Sequence, residues 1–241
     1  MIDNKYWMGG LAGALILAGC GSGGGGSYTP KQTKKVDPAS IKAGEEANVF
    51  PWKVGNQWTY TLEGMRVSKD KQASDPVRII TYKLTEIAPV EGGEKATFEI
   101  SQDGAVVDRQ VWLRNAKGIF QVSVSPANVP FSPMQPALVF PVKDGSKFKW
   151  TGTGVVPGGD KGKSTTESTV VGAQEIDTEN GRMSGIAIET QTTWSSGNLK
   201  GLTNSVAWWS PGYGIVRFKQ TAMANDVAVT QLLKLKTATL K

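Results

Sequence analysis

The feature that most constrains this chain is a repeat. The run Val49-Phe50-Pro51-Trp52-Lys53-Val54-Gly55-Asn56-Gln57-Trp58-Thr59-Tyr60-Thr61-Leu62-Glu63-Gly64 returns as Val139 to Gly154. Valine, phenylalanine, proline, lysine, glycine, threonine and glycine recur at Val49/Val139, Phe50/Phe140, Pro51/Pro141, Lys53/Lys143, Gly55/Gly145, Thr61/Thr151 and Gly64/Gly154. Aromatic replaces aromatic at Trp58/Phe148 and Tyr60/Trp150. Downstream, Glu86-Ile87 with Phe98 and Ile100 is echoed by Glu175-Ile176 with Ile186 and Ile188. Both stretches end alike, Trp112 leading to Gly118-Ile119-Phe120 and Trp208 to Gly214-Ile215-Val216. The body of the chain therefore reads as two versions of one unit of roughly eighty residues.

Each unit is built from strands. Apolar residues recur two apart at Phe98/Ile100, Phe120/Val122/Val124, Ile186/Ile188, Val216/Phe218 and Val227/Val229, which places each set on one face of an extended chain. Asp103-Gly104, Asn180-Gly181 and Ser196-Gly197-Asn198 lie between such runs and supply the positive φ of hairpin turns, so neighbouring strands are expected to be antiparallel. The pattern predicts strands near 57–64, 77–88, 95–101, 106–114 and 118–125, then 147–154, 164–176, 184–195, 201–209 and 214–222, with a last strand at 227–238. Between the units, 126–138 is proline-rich; each ring fixes φ and removes a donor, so this stretch reads as an extended spacer and not a strand. The predicted fold is all-β: antiparallel meander units at 49–125 and 139–241, duplicated and packed as a pseudo-symmetric β-sandwich or flattened barrel.

Composition narrows the chemistry. The 241 residues carry 27 Lys+Arg against 21 Asp+Glu, no histidine and one cysteine. That inventory excludes a Ser-His-Asp triad, a Cys-His pair, a Cys/His zinc site and an intrachain disulfide. The mild basic excess comes without arginine clusters, metal-finger spacing or a helix-turn-helix pattern, so nucleic acid is not an expected partner.

The single cysteine has a specific address. Residues 1–19 comprise a short polar start, Lys5, and an uncharged apolar run from Tyr6 that ends in Leu17-Ala18-Gly19-Cys20. The run is too short to span a bilayer comfortably and has the layout of a signal peptide. Its last four residues resemble the lipobox of bacterial lipoproteins, in which a peptidase cuts before the acylated cysteine; Leu17, Ala18 and Gly19 would leave it an extended backbone to grip. The resemblance implies acylation of Cys20 and a membrane held through the N-terminal lipid. With no aspartate just after Cys20, it also implies export to the outer membrane, on its periplasmic or surface side. Residues 20–48 read as a tether: Gly21 to Ser27 has almost nothing to bury, and Asp37-Pro38 opens a short helix toward Ala47.

The repeated motifs read first as packing. Trp58 and Tyr60 load one strand face, and Trp208-Trp209-Ser210-Pro211-Gly212-Tyr213-Gly214 reads as a hairpin corner with a type II turn, Trp208 and Trp209 facing opposite ways. The opening Phe-Pro-x-x-x-Gly-x-x-Trp-x-Tyr and closing Trp-x-x-Pro-Gly-x-Gly-x-Val resemble a group of uncharacterised bacterial lipoproteins. That resemblance implies an envelope protein and assigns no activity.

Catalytic patterns fail. Pro157 stands where a phosphate loop ending at Ser164 needs its first glycine, and Ser146-x-x-Lys149 falls on a predicted strand instead of a helical turn. Acidic pairs such as Glu167/Glu175 or Asp108/Glu189 are unremarkable among so many acids. No enzyme, metal or cofactor is expected. The leading expectation is a membrane-anchored, non-catalytic β scaffold or partner-binding module of the envelope; the alternative is a carbohydrate- or peptidoglycan-binding module using aromatic faces. Candidate binding residues are Trp208, Trp209, Tyr213 and Trp112, with the outward-facing indole of the second unit favoured for an envelope protein or glycan.

Overall fold

A computed structural model describes residues 49–69, 71–124, 129–179 and 181–241. The expected signal peptide at 1–19, the lipobox-like run ending at Cys20 and the expected tether through residue 48 lie outside the described residues. The described chain forms twelve strands, each paired antiparallel with its sequence neighbour. In order they are β1 (Gln57–Ser68), β2 (Lys71–Val90), β3 (Gly93–Gln102), β4 (Ala105–Asn115), β5 (Gly118–Val124) and β6 (Val129–Val139). There follow β7 (Lys147–Val155), β8 (Lys161–Thr178), β9 (Gly181–Ser196), β10 (Leu199–Ser210), β11 (Gly214–Ala224) and β12 (Val227–Thr239). β1 pairs with β12 from Gln57↔Thr239 to Val67↔Ala228, which closes the meander into a barrel. The all-β antiparallel expectation holds, and the architecture is a single closed barrel.

One expectation is corrected. The proline-rich segment is not a spacer: residues 129–139 form β6 and pair with β5 from Gly118↔Val139 to Val124↔Val129. Proline is tolerated in a strand where its missing N–H would face no partner. β6 meets that condition, because on its other side only Ser132↔Thr153 joins it to β7.

The two copies of the repeated opening run make the same turn. Before β1, Asn56 N–H donates to the Lys53 carbonyl (2.9 Å), Gly55 N–H to Leu84 (2.8 Å), and Leu84 N–H back to Asn56 (2.9 Å). Before β7, Ser146 N–H donates to Lys143 (3.0 Å), Gly145 N–H to Val170 (2.8 Å), and Val170 N–H back to Ser146 (2.9 Å). Gly55 and Gly145 hold φ of 89° and 74°, conformations that a side chain disfavours. Beyond each turn the partner strand bulges, β2 at Leu84/Glu86 and β8 at Val170/Gly172.

Alternation sorts the strands into a buried inner face, apolar toward one end, and a charged exterior. On β3, Phe98 and Ile100 are buried inside while Glu99 faces out to Arg109. Outward Lys149 and Glu167 pair across β7 and β8, and outward Lys234 and Glu63 across β12 and β1. Exposed large apolar residues such as Val77, Val106 and Val171 are scattered. A membrane-spanning barrel needs an apolar outer band about 25 Å tall, and these mid-strand charges occupy its place.

One end of the lumen is packed with aromatic rings. The segment Val49–Trp52, which precedes β1, turns into this end as a plug. Phe50 stacks on Phe98 (5.6 Å between centroids) and meets Trp58 (5.0 Å), Trp52 (6.0 Å) and Trp209 (6.0 Å) edge-on. Arg114 fixes the plug: its guanidinium donates to the Phe50 carbonyl (2.9 Å), pairs with Glu94 (2.6 Å) and lies 4.6 Å over the Trp52 ring. Asn56 ties the segment to the last residue, donating to the Pro51 carbonyl and accepting from Lys241 N–H, both at 2.9 Å.

The β8–β9 hairpin overhangs. β9 pairs with β10 only from Ile186 to Ser196, so Gly181–Gly185 and their β8 partners run past the end of β10. The overhang reaches the closing strands: Glu179 N–H donates to the Leu235 carbonyl (3.1 Å), and its carboxylate accepts from Thr61 (3.4 Å).

Since β12 finds its second neighbour only in β1, a fragment of residues 137–241 has two unpaired barrel edges. We expect no cooperative thermal transition from that fragment and a flat near-UV circular dichroism spectrum. A sharp melt like that of the whole chain would show that the second half folds alone.

Candidate functional site

The residues proposed from sequence separate in the structure. Trp209 is fully buried in the aromatic end of the lumen, and Trp208, one position earlier, faces out and is half-buried. The indoles thus point opposite ways, and Trp208 makes contacts within the chain. Its Nε1 donates to Gln174 Oε1 of the β8–β9 hairpin (2.8 Å), and the Arg217 guanidinium lies 5.3 Å from its ring. Tyr213 is half-buried; its N–H donates to the Ser210 carbonyl (3.0 Å) and Gly212 takes φ of 82°, as a Pro-Gly type II turn requires. Trp112 is buried in the lumen and donates to Gln110 Oε1 (3.1 Å).

Trp112 and Trp208, aligned by sequence, therefore face opposite sides of the wall. The register shifts beside them lie in the partner strands: opposite Val111/Trp112 the extra residue is Val122 of β5, and opposite Trp208/Trp209 it is Val216 of β11. With side chains alternating by twos, the inward set runs Asp108, Gln110, Trp112 on β4 and Thr203, Ser205, Ala207, Trp209 on β10. The acidic pairs do not meet either. Asp108 is buried in the lumen, accepting from Arg109 N–H (2.6 Å), while Glu189 is exposed on the outside of β9.

The structure brings together a different set, at the end of the lumen away from the plug. Following the inward positions of β9 upward from Ile186 and Ile188 leads to Thr190, Thr192 and Trp194. β8 contributes Ser164 and Thr166, and β10 contributes Thr203 and Ser205. These side chains, with Gln121, Gln220, Phe131 and Trp150, surround a cavity of about 60 Å³. Hydroxyls bond across strands, Thr166 to Thr192 (2.9 Å) and Ser168 to Thr190 (3.0 Å). Trp194 Nε1 donates to Thr203 (3.1 Å), Gln220 to Gln231 (2.8 Å), and Trp150 to the Pro133 carbonyl (3.0 Å). No ionisable side chain is among the described residues that line it. Among the described residues no three His, Cys, Asp or Glu side chains gather as a metal site.

Sequence reasoning missed this set because its strands are polar on both faces. In Glu189-Thr190-Gln191-Thr192-Thr193-Trp194 no hydropathy alternation marks the inside. The signal available was register: counting by twos from Ile186 and Ile188 puts Thr190, Thr192 and Trp194 on the core face.

Buried donors distinguish the two ends. Gln121, 2% exposed at the cavity, has no acceptor for its Nε2 among the described residues. Nε1 of Trp52, Trp58 and Trp209 also lacks one, but these indoles lie amid the aromatic packing of the plugged end, where ring faces are weak acceptors. Near that end Tyr60 donates to the Ile215 carbonyl (2.7 Å) and packs edge-on against Tyr82 at 5.6 Å. Burial raises both phenols well above their ordinary value; each is raised further electrostatically, Tyr60 by Tyr82 and Tyr82 by Asp108.

No protein-family model matches the sequence, and no curated protein matches it. Among solved structures, the chain is similar to a predicted lipoprotein from Parabacteroides distasonis at 13% identity and a TM-score of 0.49, covering 80% of this chain and 98% of that one. It is similar to a predicted exported protein with a YmcC-like fold from Bacteroides fragilis at 13% identity and 0.48, covering 80% and 99%. The hypothetical lipoprotein YmcC from Escherichia coli follows at 12% and 0.34, covering 83% and 91%.

Two outcomes test the geometry. Trp209→Ala should destabilise the barrel by about 3 to 5 kcal/mol, and Trp208→Ala, which removes one hydrogen bond and a cation–π contact, by about 1 to 2 kcal/mol; equal losses in chemical denaturation would refute the assignment of faces. The unfolded chain releases phenol protons near pH 10 while the folded one keeps those of Tyr60 and Tyr82, so stability falls as pH rises above about 10. Absorbance at 295 nm should show these two ionising only as near-UV dichroism is lost; earlier, gradual ionisation would contradict their burial.

Proposed function

We propose that this protein is a lipid-anchored, non-catalytic binding barrel of the bacterial cell envelope. The observation that carries the binding reading is the contrast across the wall: a charged exterior and a lumen end lined by hydroxyls, amides and indoles without an ionisable group. Such a cavity supplies recognition groups and no general acid, base or activated nucleophile.

The anchor rests on Leu17-Ala18-Gly19-Cys20, the chain's only cysteine at the one position where acylation requires it. Several acyl chains on Cys20 would hold the barrel firmly, since each buried methylene contributes about 0.8 kcal/mol. A water-facing barrel needs such an anchor to stay at a membrane, which fits a tether at 20–48 between lipid and fold. The outer membrane is the destination favoured by the residues after Cys20. Matching hydrogen-bond triads at Gly55 and Gly145, each followed by a bulge, support descent from two copies of one half-barrel.

The expected result is that radiolabelled palmitate enters the wild-type chain and not Cys20→Ala, and that the mature wild-type N-terminus begins at residue 20. Labelling that persists in Cys20→Ala, or a wild-type chain that takes none, would overturn the anchor.

A further inference from the structure

We propose that the polar end of the lumen binds a neutral, hydroxyl-rich ligand, the end of a saccharide chain, admitted sideways through the seam between β6 and β7. This deepens the reading of the barrel as a binding module by assigning the ligand class and the route of entry.

Gln121 sets the requirement. A buried amide donor without an acceptor costs about 1 to 3 kcal/mol. Gln121 is 2% exposed, its Nε2 lacks an acceptor among the described residues, and the side chain lines the cavity. A donor held in that state is matched by an acceptor brought in with a ligand. The surrounding groups fix what kind. Thr166 and Thr192 bond to each other, and Thr203 accepts from Trp194, yet each hydroxyl has one donor and two acceptor positions. Capacity of both signs is therefore left over, which suits alcohols that donate and accept.

Charge and shape exclude the other classes. No ionisable side chain in the lining can pair with a phosphate or carboxylate, and an acyl chain would leave Gln121 and the hydroxyls unsatisfied. Trp150 and Trp194 add indole surface to the wall, the complement of a sugar's C–H face. At about 60 Å³ the cavity is several times the ~10–15 Å³ needed for one water. That suits a chain end and no extended polymer.

The entrance is written into the ladder. β7 pairs with β8 continuously from Lys147↔Thr169 to Val155↔Lys161, but with β6 only at Ser132↔Thr153. Pro130, Pro133 and Pro136 leave β6 three N–H groups short, which limits the ladder that it can build. The cavity reaches the seam directly, since Gln135, Pro136 and Ala137 of β6 and Trp150 of β7 form part of its wall. The Trp150 hydrogen bond to the Pro133 carbonyl spans the seam where a ladder would otherwise run.

The test is tryptophan fluorescence of the full chain titrated with neutral tetrasaccharides of glucose, galactose and N-acetylglucosamine. At least one should give a saturable change. Gln121→Leu should weaken it at least tenfold while raising Tm, because the variant removes the unmatched donor; a side chain with a merely structural role would lower Tm. Ser132→Cys with Thr153→Cys, in the Cys20→Ala background so that the two new thiols are alone, should bind when reduced and lose binding when oxidised. The proposal is overturned if no neutral sugar saturates, if only an acidic sugar or a peptide does, or if binding survives both Gln121→Leu and the closed seam. Such an outcome leaves palmitate labelling of Cys20 untouched, so failure here and failure of the anchor are separate results.

Discussion

A ring of twelve strands encloses more space than a small barrel's inward side chains fill. Filling that space is the constraint on which the structure depends, and the protein meets it differently at its two ends. At one end the chain inserts its own Val49–Trp52 segment, and Phe50 joins rings from β1, β3 and β10. The plug is fixed by polar contacts as well as packing, since Arg114 holds the Phe50 carbonyl and Asn56 holds that of Pro51. At the other end no segment among the described residues enters as a plug, and the wall itself supplies hydroxyls, amides and two indoles. The repeated Phe-Pro-x-x-x-Gly run thus serves differently in its two copies. The first caps the lumen, whereas Phe140 and Val142 of the second join the core beside β7.

What was legible in the sequence was what period-two alternation and turn chemistry encode. Phe98/Ile100 and Val216/Phe218 line the lumen as their spacing requires, and Pro211-Gly212 makes the expected corner. The prolines of 126–138 misled because proline opposes a strand only where its N–H is needed. β6 has one neighbour that bonds it and one that hardly does. Thr190, Thr192, Thr203 and Gln121 were invisible because nothing in hydropathy separates an inward threonine from an outward one. Their burial follows from closure of the ring, a property of the whole chain.

Register shows the same limit more sharply. Trp112 and Trp208 stand at equivalent places in the sequence, yet one faces the lumen with Asp108 and Gln110 and the other the outer wall, its neighbours Ala207 and Trp209 facing in. Outside, Trp208 is not left bare. The overhanging β8–β9 hairpin supplies Gln174 to its indole N–H, and Ile176 and Met183 of that hairpin are buried in continuity with the core. The hairpin bends at Gly172, whose φ of 110° suits a residue without a side chain.

Closure of the ring by β1 and β12 also has a kinetic side. Gln57 pairs with Thr239, so the contact that completes the fold joins nearly the two ends of the described chain. Every other ladder is a local hairpin that can zip as its turn forms, whereas this one long-range pairing carries the largest loop-closure cost of the fold. A chain threaded across a membrane from its N-terminus would deliver β1 first and β12 last. During that interval β1 presents a bare edge, the kind of surface that invites pairing with another chain. Its outward Glu63, which pairs with Lys234 of β12 once the ring is closed, is a charge of the sort that discourages a wrong strand from settling there first.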